Sequence, residues 1–296
     1  MRRQLRLRHH RRRAGLGGEL AAGARLRGAF ARNQLFRMVR RGRAATAAVL
    51  AGAAAGCAVP RYVRQSRREL AAPTRAAAVT TNGRTASLIY ATRTGAGVVV
   101  VDLGWSRAGR ALDQALGELG ATRADVAAVL LTHSHRDHIG AWRALRTVPF
   151  YLGAAEVPLF DGERHHAGWA ARAADWVLAP HLPRRGELRV VPVAGDTVLA
   201  FGADTVRGFA APGHTAGSMA WLVRDVLFLG DDASAHVGNG HLRKARGGYA
   251  GSVTQARRSL ARVRRAVAPY RVRLLCTAHA RCAEPSDRTW EAISGG

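Results

Sequence analysis

Thr132-His133-Ser134-His135-Arg136-Asp137-His138 follows directly on the apolar run Ala127–Leu131 and packs three imidazoles and a carboxylate into six residues. In an extended segment, side chains two positions apart project to the same side, so His133 and His135 can grip one ion together. Asp137 and His138 then turn toward a second. Imidazole nitrogen and carboxylate oxygen form the donor set expected for zinc, with Fe or Mn as alternatives for the same donors. One loop cannot complete two sites, so further His and Asp must arrive from later strand ends.

Working outward, short β-branched runs at Ser87–Ala91, Val98–Leu103 and Ala127–Leu131 predict strands, the last two apolar enough to be buried on both faces. Ala111–Leu119 carries Leu112, Ala115, Leu116 and Leu119 at helical spacing. Val253–Val267 predicts the closing helix, with a capping box formed by Ser252 and Gln255. A layered α/β domain is implied. Three later segments offer the missing ligands. Ala211–Ser218 is a turn holding His214, ahead of a strand at Met219–Val223; Val226–Gly230 is a strand ending in Asp231 and Asp232; and Arg271–Thr277 is a last strand that delivers His279.

In this order, H-x-H-x-D-H, Gly-His, Gly-Asp after an apolar strand and a final His, the residues resemble the metallo-β-lactamase superfamily over Ser87–His279. The pattern is most similar to its hydroxyacylglutathione hydrolase and lactonase-like members. The resemblance implies an α/β fold, a four-layer αββα sandwich of two mixed sheets flanked by helices. It puts His133, His135 and His214 on a first metal and Asp137, His138 and His279 on a second, with Asp231 bridging and Asp232 as the alternative bridge. Thr215, Ser218 and Asp232 are implied to support the ligands or the turn. Two zinc ions per chain would share a hydroxide that attacks a carbonyl, with Asp137 as the catalytic carboxylate that orients it and passes its proton on.

The resemblance also orders the chemistries. His135 stands where the oxygen-reducing diiron branch has a carboxylate, which favours hydrolysis. Asp231 stands where true β-lactamases typically lack an Asp, which favours ester, thioester or lactone hydrolysis of a small-molecule substrate. The alternatives are a phosphodiesterase, nuclease or β-lactamase of the same fold and, from another class, a non-catalytic metal- or ligand-binding protein.

The 296 residues are 48% hydrophobic, which excludes disorder for most of the chain, and carry 46 Lys and Arg against 20 Asp and Glu. The excess sits at the front: residues 1–75 hold 19 Arg and 2 Glu. Within the domain, Arg257, Arg258, Arg262, Arg264 and Arg265 lie opposite the Ala256, Leu260, Val263 and Val267 face of the closing helix, as on any solvated helix. No specific nucleic-acid partner is expected.

Residues 1–37 read as a basic disordered extension, with Met38 as an alternative start. Residues 38–57 read as a signal peptide: Arg40, Arg41 and Arg43, the apolar stretch Ala44–Ala55, then Ala54-Ala55-Gly56-Cys57, which resembles a bacterial lipobox. Export follows, either as a cell-envelope lipoprotein anchored to the membrane through lipidated Cys57 or as a secreted protein, with mitochondrial-type targeting as the alternative. Residues 58–76 read as a linker and 77–296 as the hydrolase domain. Oligomeric state is not readable.

Substrate specificity is placed in the insert Glu156–Pro183, which contains His165, His166, Trp169, Trp176 and His181. Trp169 and Trp176, seven apart, predict a buried helix face, and His165 and His166 read as surface residues. Cys276 and Cys282 flank His279; the spacing allows a disulfide, and Cys276 is equally natural as a reduced core residue.

Overall fold

Val98 and Val100 pack on one side of their strand and Val99 and Val101 on the other, and all four are buried. Such two-faced burial requires layers above and below the sheet, and the fold supplies them. The computed structural model describes residues 70, 73–77, 87–105, 109–178, 182–235, 241–280 and 282–295. The expected extension, signal peptide, candidate start Met38, Cys57 and His181 lie outside the described residues.

The first sheet has the order β1 (Thr74–Ala77), β2 (Ile89–Thr94), β3 (Gly97–Val101), β4 (Val126–Leu130), β5 (Phe150–Gly153), β6 (Val190–Val193). β1, β2 and β3 pair antiparallel, and β3 to β6 run parallel. The second sheet joins β7 (Thr197–Phe201), β8 (Asp204–Ala210), β9 (Met219–Val223) and β10 (Val226–Gly230) as antiparallel neighbours, and then β13 (Leu274–Thr277) parallel to β10. A small hairpin pairs β11 (Ala233–Ala235) with β12 (Leu242–Lys244).

Alternation along the strands builds three apolar layers. Between the sheets lie Val99, Val101, Leu130, Met219, Trp221, Phe228, Leu274 and Cys276. The outer face of the first sheet packs Val98, Val100 and Val129 on Leu112 and Leu116 of helix α1 (Arg110–Gly117). On the outer face of the second sheet, Leu222, Leu227, Leu229 and Leu275 meet Leu260 and Val263 of a long helix, Val253–Val267, and Trp290 and Ile293 of another, Asp287–Ser294. The result is the αββα sandwich of two mixed sheets that the resemblance implies, and it agrees with the layered α/β domain read from the residues. The insert adds two helices, so among the described residues the helices in chain order are α1, α2 (Val157–Phe160), α3 (Trp169–Leu178), α4 (Val253–Val267) and α5 (Asp287–Ser294).

Three expectations shift. The sheet begins inside the segment read as linker, because Thr74–Ala77 pairs with β2 and Thr74 Oγ1 meets Thr92 Oγ1 at 3.1 Å. The last strand starts at Leu274 rather than Arg271, since the backbone N–H of Arg273 is drawn to Asp225 O at the entrance to β10. α4 is not the closing helix, because α5 follows it, N-capped by Ser286, which accepts from Thr289 N–H at 3.2 Å. At α4 itself Ser252 accepts from Gln255 N–H at 3.2 Å, which is half of the expected capping box.

Candidate metal centre

Parallel strands deliver their following residues to one edge, and the expected ligands gather there. Asp102 follows β3, Thr132 and His133 follow β4, Asp231 follows β10, His279 follows β13, and His214 sits on the turn between β8 and β9. Trp221 Nε1–H donates to Leu131 O at 2.9 Å and Met219 N–H to Thr132 O at 2.8 Å, fixing the two sheets to each other just below the ligand loop. Gly230, at φ 53°, is required by close approach, as a Cβ there would lie 2.4 Å from Thr132 Oγ1.

His133 Nε2 and His214 Nε2 each lie 3.0 Å from His135 Nδ1. A tetrahedral ion with bonds of about 2.0–2.1 Å holds its donors roughly 3.3 Å apart, so this nest fits one zinc. The second nest comprises Asp137, His138 and His279. His279 Nε2 is 3.0 Å from Asp137 Oδ2 and 3.2 Å from Asp231 Oδ2; His138 Nε2 is 3.9 Å from Asp137 Oδ1 and 3.8 Å from Asp231 Oδ1. Asp231 Oδ2 also stands 3.8 Å from His214 Nε2, so this carboxylate reaches both nests. His138 Nε2 is buried with no hydrogen-bond partner and points among carboxylates and imidazoles, which suits a ligand atom. The donor set fits the group the sequence implies.

The two nests differ electrostatically. Burial holds the His133 and His135 imidazoles well below their ordinary range and His214 at about 4, so the first nest is proton-free at neutral pH. Burial also disfavours charge on His138 and His279, but there the carboxylates win. Asp102, Asp137 and Asp231 lift His138 to about 9, and Asp231 and Asp137 raise His279 well above the usual imidazole range. Burial likewise pushes Asp137 and Asp231 up, and the neighbouring His138 and His279 reverse it, leaving both carboxylates ionised and Asp231 at about 2.

Around the ligands, Thr215 Oγ1 donates to Glu156 Oε2 at 2.7 Å and Ser218 Oγ accepts from Thr215 N–H at 3.0 Å, so both serve the His214 turn. Asp232 does not face solvent or meet an imidazole: it is buried, accepts from the His214 backbone N–H at 3.3 Å, and burial raises its pKa well above the carboxylate range. His165 is exposed as expected, but His166 is buried, with its ring 4.2 Å from that of His135. Trp169 is 66% exposed rather than buried, because the inner face of α3 is formed by Ala171 and Asp175. The Trp176 side chain lies outside the described residues. Cys276 and Cys282 form a disulfide around His279.

Three functional neighbours were not singled out by the sequence: Asp102, which accepts from His138 Nδ1, and Glu156 and Asp175, which are buried together with His166. A lone Asp at the end of the run Val98–Leu103 was the one available signal for the first. Ser134 Oγ, His166 Nε2 and Asp175 line up as a nucleophile, base and acid would, at 3.1 Å and 2.7 Å. Ser134 is fully buried and its hydroxyl is engaged by Glu156, so this group has no access to a substrate.

Residues 81–279 match the family described as the metallo-beta-lactamase superfamily. The chain is 26% identical over 146 residues to a probable polyketide biosynthesis zinc-dependent hydrolase, BaeB, of Bacillus velezensis, covering 48% of this chain and 52% of that protein. It is 33% identical over 122 residues to a hydroxyacylglutathione hydrolase of a Shewanella strain, covering 39% of this chain and 38% of that protein. The chain thus spans about half or less of these relatives. Its fold is similar to that of a metallo-beta-lactamase family protein of Thermus thermophilus, with a TM-score of 0.54, 21% identity, and coverage of 74% of this chain and 76% of that one.

Proposed function

The chain belongs to the metallo-beta-lactamase superfamily, and from this premise we propose that it is a metal-dependent hydrolase that holds two zinc ions and hydrolyses a small ester, thioester or lactone. The observation that carries the reading is the Asp231 carboxylate shared by two nests of donor atoms. His133, His135 and His214 would hold one ion and Asp137, His138 and His279 the other. The ions, when bound, supply Lewis acidity and lower the pKa of water from 15.7 toward about 7.

The chain's own residues do the rest. Asp137 stays ionised and lies at the partly open side of the site, with its side chain 24% exposed, so it can orient an attacking water and accept its proton. Asp102 and Asp232 stay behind the ligands, where they fix His138 and the His214 backbone. An acyl substrate is supported by the named activity of the Shewanella relative. Export with lipid attachment at Cys57 is part of the same proposal, and the Cys276–Cys282 disulfide supports it, since such bonds persist in oxidising compartments.

Bound metal per chain and turnover on a lactone, a thioester, a cephalosporin and a phosphodiester, measured beside Asp137→Ala, test the proposal. Near two zinc ions with carbonyl-ester turnover lost in the variant is the expected result. Phosphodiester or cephalosporin turnover alone would reassign the substrate, and a protein that binds no metal would end the proposal.

A further inference from the structure

Glu156 is fully buried, and both of its oxygens are engaged. Oε1 accepts from the Ser134 N–H and from Ser134 Oγ, each at 2.7 Å. Oε2 accepts from Thr215 Oγ1 at 2.7 Å and from the Gly217 N–H at 3.1 Å. Ser134 lies between His133 and His135, and Thr215 follows His214. One carboxylate therefore ties together the two loops that supply the three-imidazole nest.

The backbone is shaped for this contact. β5 ends at Gly153, and a Cβ there would stand 2.1 Å from Gly217 O; a Cβ on Gly217 would stand 2.4 Å from Glu156 N. Two glycines thus let the turn that carries Glu156 press against the His214 loop. Behind the carboxylate, His166 Nε2 lies 3.1 Å from Ser134 Oγ and 3.7 Å from Glu156 Oε1. Its Nδ1 meets Asp175 Oδ2 at 2.7 Å, and its backbone N–H donates to the same oxygen at 3.0 Å. Arg136 Nε stands 3.8 Å from Asp175 Oδ1, its side chain nearly buried. Two carboxylates, an imidazole and a guanidinium are costly to bury where apolar groups would pack as well, which points to a purpose other than stability.

We propose that Glu156 is a positioning residue for the three-imidazole site, braced by His166 and Asp175. By holding Ser134 and Thr215 to one carboxylate it keeps His135 Nδ1 and His214 Nε2 at their converging distance and so sets the affinity of that site alone. The inference rests on the reading that the nest holds a metal ion.

The test is zinc affinity, read by competition with a chromophoric chelator on the full chain. A His279→Ala background leaves the three-imidazole site to be read, and a His133→Ala background leaves the other. Adding Glu156→Gln, which sets an amide N–H₂ against donors on one loop or the other, is expected to weaken zinc in the first background by about 10- to 100-fold and to leave the second unchanged. Equal weakening in both, accompanied by a lower melting temperature of the metal-free protein, would mean a purely structural role and overturn the proposal, as would unchanged affinity in both. If Glu156→Gln does not fold, His166→Gln and Asp175→Asn carry the same expectation in the same direction, and their failure to discriminate the two backgrounds overturns it equally. An unsubstituted chain that binds no zinc would instead overturn the reading beneath it.

Discussion

The Asp102 carboxylate accepts a hydrogen bond from His138 Nδ1 at 2.8 Å while it also accepts from the Thr132 N–H and Thr132 Oγ1, each at 2.8 Å. Asp102 adopts φ 56°, a turn that swings the carboxylate from the end of β3 under the ligand loop. With Nδ1 donating, the lone pair of the unprotonated His138 ring, the form that would bind a metal, falls on Nε2, the atom that faces Asp137 and Asp231.

Asp102→Asn tests that coupling. An asparagine must turn its N–H₂ either to His138 Nδ1, forcing the wrong tautomer, or to the Thr132 donors. Affinity at the Asp137, His138 and His279 site is expected to fall by about 10- to 100-fold. Chelator competition reads it, and an unchanged second binding step would sink the idea.

Metal loading is expected to depend on pH at one nest only. His133, His135 and His214 are proton-free in the metal-free protein, whereas His138, at about 9, and His279, raised well above the usual range, are protonated at neutral pH. Ligation needs the unprotonated nitrogen, so protons compete at the second nest as pH falls through those values. Its apparent affinity is therefore expected to rise with pH from about 6 to 8, by roughly tenfold per unit for each proton displaced. Calorimetry in buffers of different ionisation enthalpy should find proton release in one binding step and none in the other; equal release in both would contradict the assignment.

Asp231 and Asp232 are adjacent, yet their substitution should differ sharply. Asp231 is ionised and within 3.2 Å of His279 Nε2, while burial pushes Asp232 well above the carboxylate range and its carboxyl accepts from the His214 backbone N–H. Asp231→Asn is expected to lower both bound metal and turnover, turnover by at least about 100-fold, and Asp232→Asn, which removes a charge that burial already disfavours, to leave metal content at that of the unsubstituted protein. Metal analysis of the two variants settles the order, and the reverse result would move the bridge to Asp232.

Much of this architecture was legible because its signals are local. Val98–Val101 and Ala128–Leu131 are apolar on both faces whatever surrounds them, and His133, His135, Asp137 and His138 place both nests in one loop. Asp102 was hidden by that same apolarity, as one polar residue between Val101 and Leu103. Glu156, His166 and Asp175 come from three segments that meet only after β5 and the His214 loop close on each other, and no periodicity encodes that meeting. Trp169 misleads for a related reason: it sits at the first position of α3 and rests beside Gly248, where a Cβ would lie 3.0 Å from its Nε1, so its spacing from Trp176 says little about burial.

The last expectation concerns the loop of His279. Cys276 and Cys282 are joined across it, and the Leu275 and Ala283 backbones exchange hydrogen bonds at 2.8 and 2.9 Å just outside. The loop is thus closed twice. Chain-entropy arithmetic for so short a loop gives the disulfide about 2 kcal/mol, and the backbone pair should retain the closure without it. Replacing both cysteines by Ala is therefore expected to lower the melting temperature measurably while leaving zinc stoichiometry intact at saturating metal. Of the chain's three cysteines, Cys276 and Cys282 are paired, so thiol titration of the denatured full chain should gain two on reduction, whether Cys57 is free or lipidated. No gain on reduction would remove the disulfide and, with it, the structural support for an oxidising compartment.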